Sequence, residues 1–148
     1  QDAPAPYGPV AVAATRAVVA VTGEHHTVAA VLGMRAVALM GLGLIVWGMG
    51  RLASGWGGGE AGALWAAVLN PLALVHLVGG AHNEALMIGL TLAGLVAFRR
   101  GRWVLGTVVL TSAVLVKVPA AVALLCAAAW SVGGRPDRRS GWSRAAGI

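Results

Sequence analysis

Charge is the scarcest thing in this sequence. Asp, Glu, Lys and Arg make up 11% of its 148 residues, where a soluble domain carries roughly a quarter. Five acids and eleven bases cannot cover the surface of a soluble domain of this length. Cysteine is nearly absent: Cys126 stands alone in an apolar run. That excludes a disulfide scaffold and a multi-cysteine zinc site, and makes Cys126 an expected core residue. Phe and Tyr occur once each, so the apolar mass is Ala, Val, Leu and Gly. The chain opens at Gln1 with neither a Met nor a signal peptide, and reads as a piece of a longer polypeptide. Disorder is excluded as well, because it needs low hydrophobicity and the mean hydropathy here is +0.80. What remains is an integral membrane protein.

The apolar runs say how it is built. A bilayer core about 30 Å thick takes about 20 helical residues at about 1.5 Å each. Residues 28–50 form one such run, apolar except for Arg35. A second, 61–79, is interrupted by Asn70-Pro71 and His76, and a third covers 84–98. Two short runs, 103–116 and 119–132, flank Lys117-Val118-Pro119. Residues 10–21 are too few to span and carry Arg16, which predicts an interfacial or re-entrant helix. The Pro-rich start, residues 2–9, is non-helical. The expected fold is an all-α polytopic membrane protein with about five transmembrane helices behind this short N-terminal helix. It forms one domain: an external segment 1–27, a bundle 28–132 and a cytoplasmic basic tail 133–148.

The formal net charge is +6, but the bases sit in short loops between apolar runs. They report topology, and no nucleic-acid partner is expected. Five alternating spans put Arg51, Arg99, Arg100, Arg102, Arg135, Arg138, Arg139 and Arg144 on one side and leave Arg16, Arg35 and Lys117 to the other half. Eight against three assigns the first side to the cytoplasm. Trp47, Trp65, Trp103 and Trp130 fall near the cytoplasmic ends of the spans, where an aromatic belt belongs. Glu24-His25-His26, His82-Asn83 and Tyr7 then lie outside.

Four ionisable residues sit inside the runs, where such groups are costly and usually face a cavity. Counted from the cytoplasmic edge at about 1.5 Å per residue, Glu84, Lys117 and His76 each stand roughly 21 Å high and Arg35 roughly 22 Å. All four therefore fall in the outer third of the bilayer. They would line a pocket open to the outside, with two cations, one carboxylate and an imidazole. The short runs on either side of Lys117 fit this, since irregular backbone at that depth is tolerated only beside a cavity. Two cations with one carboxylate favour an anionic ligand, and a lipid-linked phosphate is the natural one at this depth.

Each residue also has a structural reading. Asn83 before Glu84 is how a helix begins, with Asn as the cap and an acid in the first turn. Lys117 before a proline can snorkel to the interface. Arg35 can do the same or bridge to Glu84, and His76 can be a satisfied core residue. His25-His26 fits a surface turn, and with no acid cluster nearby no metal is expected. Gly41, Gly43, Gly89 and Gly94 suit close helix contacts.

The segment Leu69-Asn-Pro-Leu-Ala-Leu-Val-His-Leu-Val-Gly-Gly-Ala-His-Asn-Glu-Ala-Leu-Met-Ile-Gly89, with Pro4-Ala-Pro-Tyr-Gly-Pro9 upstream and Val116-Lys-Val-Pro119 downstream, carries a resemblance. It is similar to the actinobacterial polyprenol-phosphomannose-dependent alpha-1,6-mannosyltransferases of the glycosyltransferase C superfamily, over about residues 2–130. The resemblance implies part of a GT-C-type helical bundle in the bacterial plasma membrane. It implies transfer of mannose from a polyprenyl-phosphate donor to a mannan-type glycan or glycolipid acceptor, on the extracytoplasmic side and with inversion. The usual catalytic aspartate of such enzymes lies in the first external loop, upstream of Gln1, so this stretch by itself is expected to be inactive; Asp2 is not that base, and Glu84 is a weak substitute. Arg35 and Lys117 are expected at the donor phosphate. His82, Asn83 and Glu84 are expected at sugar or acceptor hydroxyls, His76 in the same substrate pocket, and Tyr7 at its entrance. No cofactor is expected.

Two other classes stay open on the residues alone. A secondary transporter would use the polar layer as its site and Asn70-Pro71 as a broken helix, but the chain shows no internal repeat. A structural membrane subunit would have to treat four ionisable residues at one depth as coincidence.

Overall fold

The computed structural model describes residues 7–23, 25–53, 61, 62, 64, 65 and 83–132. Its elements are all helical: α1 (Pro9–Thr22), α2 (Thr27–Ala53), α3 (Glu84–Arg99), α4 (Trp103–Val116), a 3₁₀ turn (Val118–Ala120) and α5 (Ala121–Val132). Most of the expected second span, the basic tail, His76 and His82 lie outside the described residues.

Each helix has a local reason for its ends. α1 starts with Pro9 in the first turn, where its missing N–H costs nothing. It stops at Gly23, whose φ of 83° suits only glycine well. The expected short N-terminal helix therefore exists, one residue longer at each end. α3 closes through Gly101, at φ 75°. The Gly101 N–H donates to the Phe98 carbonyl at 2.9 Å and the Arg102 N–H to the Ala97 carbonyl at 3.0 Å, and the chain reverses into α4. α4 ends at Lys117, which is fully extended at φ −158° and ψ 134° ahead of Pro119.

Length decides which helices can cross a membrane alone. α2, with 27 residues and an 18-residue stretch of mean hydropathy 2.1, is the one described helix long and apolar enough. α3, α4 and α5 have 16, 14 and 12 residues, or about 24, 21 and 18 Å. Five full spans are thus not what the described helices show.

Small residues set the packing. Gly41 of α2 lies against the backbone of Ala85, and seven residues further along both helices Gly48 lies against Leu92. α2 and α3 therefore run parallel, with Gly89 received between Gly41 and Leu44. Close backbone approach of this kind is how helices associate where lipid removes the hydrophobic drive. α4 returns antiparallel, Gly94 against Leu110 and Gly106 against the Phe98 ring. Gly43, expected at such a contact, faces open space.

The surface is apolar. Among the described residues no polar or charged side chain is buried, while Leu39, Met40, Val104, Val122 and Leu125 face outward. The hydroxyls of Thr15, Thr91, Thr107 and Ser112 donate to the carbonyl one turn earlier, so they are satisfied without water. This is a helical membrane protein. Cys126, expected in the core, is exposed on α5. α5 is apolar all round, so its sequence could not say which face packs.

Candidate functional site

Lys117 and Glu84 meet. The Lys117 ammonium donates to Glu84 Oε1 as a salt bridge. It joins the turn after α4 to the first residue of α3, 33 positions earlier in the chain. The two side chains are 32% and 21% exposed, so the pair is open on one side. Glu84 Oε2 is buried. The backbone beneath is firm, because Val116 and Ala113 are fully buried and Ala120 nearly so.

A third chain segment reaches the same place. The Gly8 N–H donates to the Val116 carbonyl at 3.1 Å, and Gly8 sits against the Leu115 carbonyl so closely that a Cβ would collide with it. That seats Tyr7, 39% exposed, within electrostatic reach of the Lys117 ammonium. α1 then climbs until Val18 meets Gly33 of α2, eight residues before Gly41. The helix thus starts at the level of the Lys117 turn. Tyr7, expected at the entrance of the pocket, is held beside the Lys117 turn.

Arg35 is not part of this cluster. It precedes Gly41 by six residues, whereas Glu84 precedes Ala85 by one, so with Gly41 against Ala85 it stands about 7.5 Å beyond Glu84 along the helices. It is exposed, and two residues from Gly33 it points to nearly the opposite side of α2 from α1. Equal depth fails for Arg35 because helix register is set by glycine contacts rather than by helix ends. Asn83 occupies the N-cap position of α3 but makes no side-chain capping bond. Its carbonyl accepts from the Met87 N–H at 3.0 Å. Its amide is thereby not committed to the cap.

The arrangement offers one fixed ammonium, one carboxylate and one phenol at an irregular turn partway along a helical bundle. A preoriented cation can hold an anionic oxygen, and a carboxylate can accept a proton or a hydroxyl hydrogen bond. Among the described residues no group of His, Cys, Asp and Glu is placed to hold a metal ion.

The family described as Alpha-(1->6)-mannopyranosyltransferase, N-terminal domain, matches residues 1–133. The chain belongs to this family. Alpha-(1->6)-mannopyranosyltransferase A of Mycobacterium tuberculosis is 45% identical over 120 residues, covering 81% of this chain and 23% of that protein. A second alpha-(1->6)-mannopyranosyltransferase of that organism is 50% identical over 101 residues, or 68% and 17%. Alpha-(1->6)-mannopyranosyltransferase A of Corynebacterium glutamicum is 36% identical over 119 residues, or 80% and 24%. The chain spans about a quarter or less of the length of these relatives. No solved structure matches it significantly. Membership of a mannosyltransferase family does not favour the transporter reading.

Two features of this family member were missed in the sequence. The Gly8–Val116 clamp rests on a backbone hydrogen bond that no side chain announces. The placing of Arg51 and Arg100 over the Trp47 ring was read as loop charge alone. The spacing of Trp47 and Arg51, one helical turn apart, was its available signal.

Proposed function

We propose that this chain is the part of a membrane mannosyltransferase that receives the phosphate of a polyprenyl-phosphate mannose donor. The observation that carries this reading is the Lys117–Glu84 pair at an interrupted turn with Tyr7 seated beside it. Family membership supports mannose as the sugar and an α-1,6 linkage as the product.

In this reading the basic ends of α2 and α3 face the cytoplasm, and the Lys117 turn lies in the outer part of the bilayer. α3, α4 and α5 cross with help from their neighbours, completing about five spans with the segment between α2 and α3. The acceptor hydroxyl oxygen attacks the anomeric carbon from the face opposite the phosphate. The bond from that carbon to the phosphate oxygen breaks, and polyprenyl phosphate leaves with the electron pair, so configuration inverts. The hydroxyl proton passes to a carboxylate, expected upstream of Gln1. Lys117 neutralises the charge that develops on the leaving phosphate, and it is released from Glu84 as the donor arrives. Glu84, with Asn83 and His82, then accepts hydroxyls of the sugar or the acceptor, and His76 lines the same pocket. Arg35, further out on another face of α2, is given the donor's approach rather than its phosphate.

The test is transfer by the native polypeptide in proteoliposomes, using radiolabelled polyprenyl-phosphate mannose and a short α-1,6-mannoside acceptor. Labelled product with an added α-1,6 mannose supports the reading. Donor binding without product under any acceptor removes it.

A further inference from the structure

We propose that Glu84 makes the site prefer the sugar-bearing lipid donor over the polyprenyl phosphate left after transfer, and is in that sense a specificity-determining residue. This rests on the reading that Lys117 receives the donor phosphate. The two lipids differ at one place. The donor phosphate is a diester with a single negative charge, and its sugar carries several hydroxyls. The spent carrier is a monoester with about two negative charges at neutral pH, and it has no sugar. A lone ammonium would favour the spent carrier, because attraction grows with the charge it faces. The site would then be held by its own product.

Lys117 is not a lone ammonium. It donates to Glu84 Oε1, so a phosphate that takes the ammonium also meets the carboxylate. Glu84 has little room to retreat. It is the first residue of α3, and the next residue, Ala85, is fully buried with its backbone against Gly41. Lys117 can move, because its head rides on a flexible four-carbon stem from an extended residue beside the exposed Val118. An arriving phosphate therefore shifts the ammonium and keeps the carboxylate as a neighbour. The second charge of a monoester is repelled there. The donor brings hydroxyls instead, and a carboxylate accepts hydrogen bonds at about four lone-pair sites. Contacts that Glu84 keeps with the protein are common to both complexes and cancel between them. During transfer the acceptor oxygen bonds to the anomeric carbon and gives its proton to the base. The phosphate oxygen keeps the electron pair of the broken bond, so the second charge appears beside Glu84, and release returns Lys117 to it.

Binding to the purified native polypeptide in phosphatidylcholine nanodiscs tests this, with polyprenyl phosphate and polyprenyl-phosphate mannose as probes and no acceptor present. Glu84→Gln should bind polyprenyl phosphate about tenfold tighter than wild type and the donor no tighter. In transfer assays added polyprenyl phosphate should inhibit that variant at about a tenfold lower concentration. Glu84→Asp keeps the charge and should retain the wild-type preference, which gives a second variant if Glu84→Gln does not fold. Unchanged or weaker binding of polyprenyl phosphate by a folded Glu84→Gln would overturn the proposal, as would equal tightening for both lipids or loss of the preference in Glu84→Asp. Lys117→Ala separates the two readings: if it binds both lipids as wild type does, the phosphate assignment itself fails, whatever Glu84 does.

Discussion

Lys117 donates to Glu84 across 33 residues of chain, and this pair fastens the turn after α4 to the start of α3. Its two members are reached by separate routes, α3 descending from Glu84 and α4 rising to Lys117. Both routes measure about 21 Å, from Phe98 to Glu84 and from Trp103 to Lys117, at about 1.5 Å per residue.

Half-exposed ion pairs add little to stability, about 0–1 kcal/mol. Glu84→Gln, which keeps a hydrogen-bond acceptor, should therefore lower the unfolding free energy by no more than about 1 kcal/mol. Chemical denaturation in detergent followed by tryptophan fluorescence checks this. A loss several times larger would make the pair a structural clasp.

Gly41 and Gly43 are two residues apart and should behave oppositely. A methyl on Gly41 meets the α3 backbone, so Gly41→Ala should destabilise by about 1–3 kcal/mol. Gly43 faces open space, so Gly43→Ala should be neutral or stabilise by up to about 1 kcal/mol. Thermal unfolding of the two variants side by side gives the comparison.

Gly8→Ala should push the Tyr7 segment away from the Lys117 turn, because the added carbon meets the Leu115 carbonyl. The helical bundle should keep its melting temperature, since the glycine contacts that join α2, α3 and α4 do not involve this segment. Transfer by the native polypeptide should fall by about tenfold or more, as it does when a positioning contact is lost. Unchanged transfer would remove Tyr7 from the site.

Orientation can be read with cysteines. After Cys126→Ser, a cysteine at His25 should react with an impermeant maleimide added to intact cells, and one at Arg102 should react only after the membrane is opened. The reverse pattern would invert the topology. In wild type, exposed Cys126 should react in detergent with a small apolar maleimide while the helical circular-dichroism signal is unchanged.

Much of this was legible in the sequence, for physical reasons. Apolar length and the proline and glycine stops gave α1 to within a residue at each end. Counting residues from the basic loops set Glu84 and Lys117 at one height, and the structure joins them. Counting misplaced Arg35, because the register of α2 on α3 is fixed where Gly41 admits Ala85, and nothing in either helix alone encodes that meeting. Gly43 and Cys126 were misassigned for a related reason. On helices apolar all round, periodicity does not distinguish the packed face from the lipid face. The Asn83 cap was a fair expectation from residue type, yet its side chain makes no such bond.

The most direct test of the central claim is the rate of mannose transfer by the native polypeptide carrying Lys117→Ala, with donor binding measured on the same preparation. If Lys117 neutralises the leaving phosphate, kcat should fall by about 100-fold or more, with the folded yield preserved and part of the rate restored in Lys117→Arg. A Lys117→Ala variant that folds and turns over at the wild-type rate would contradict the account.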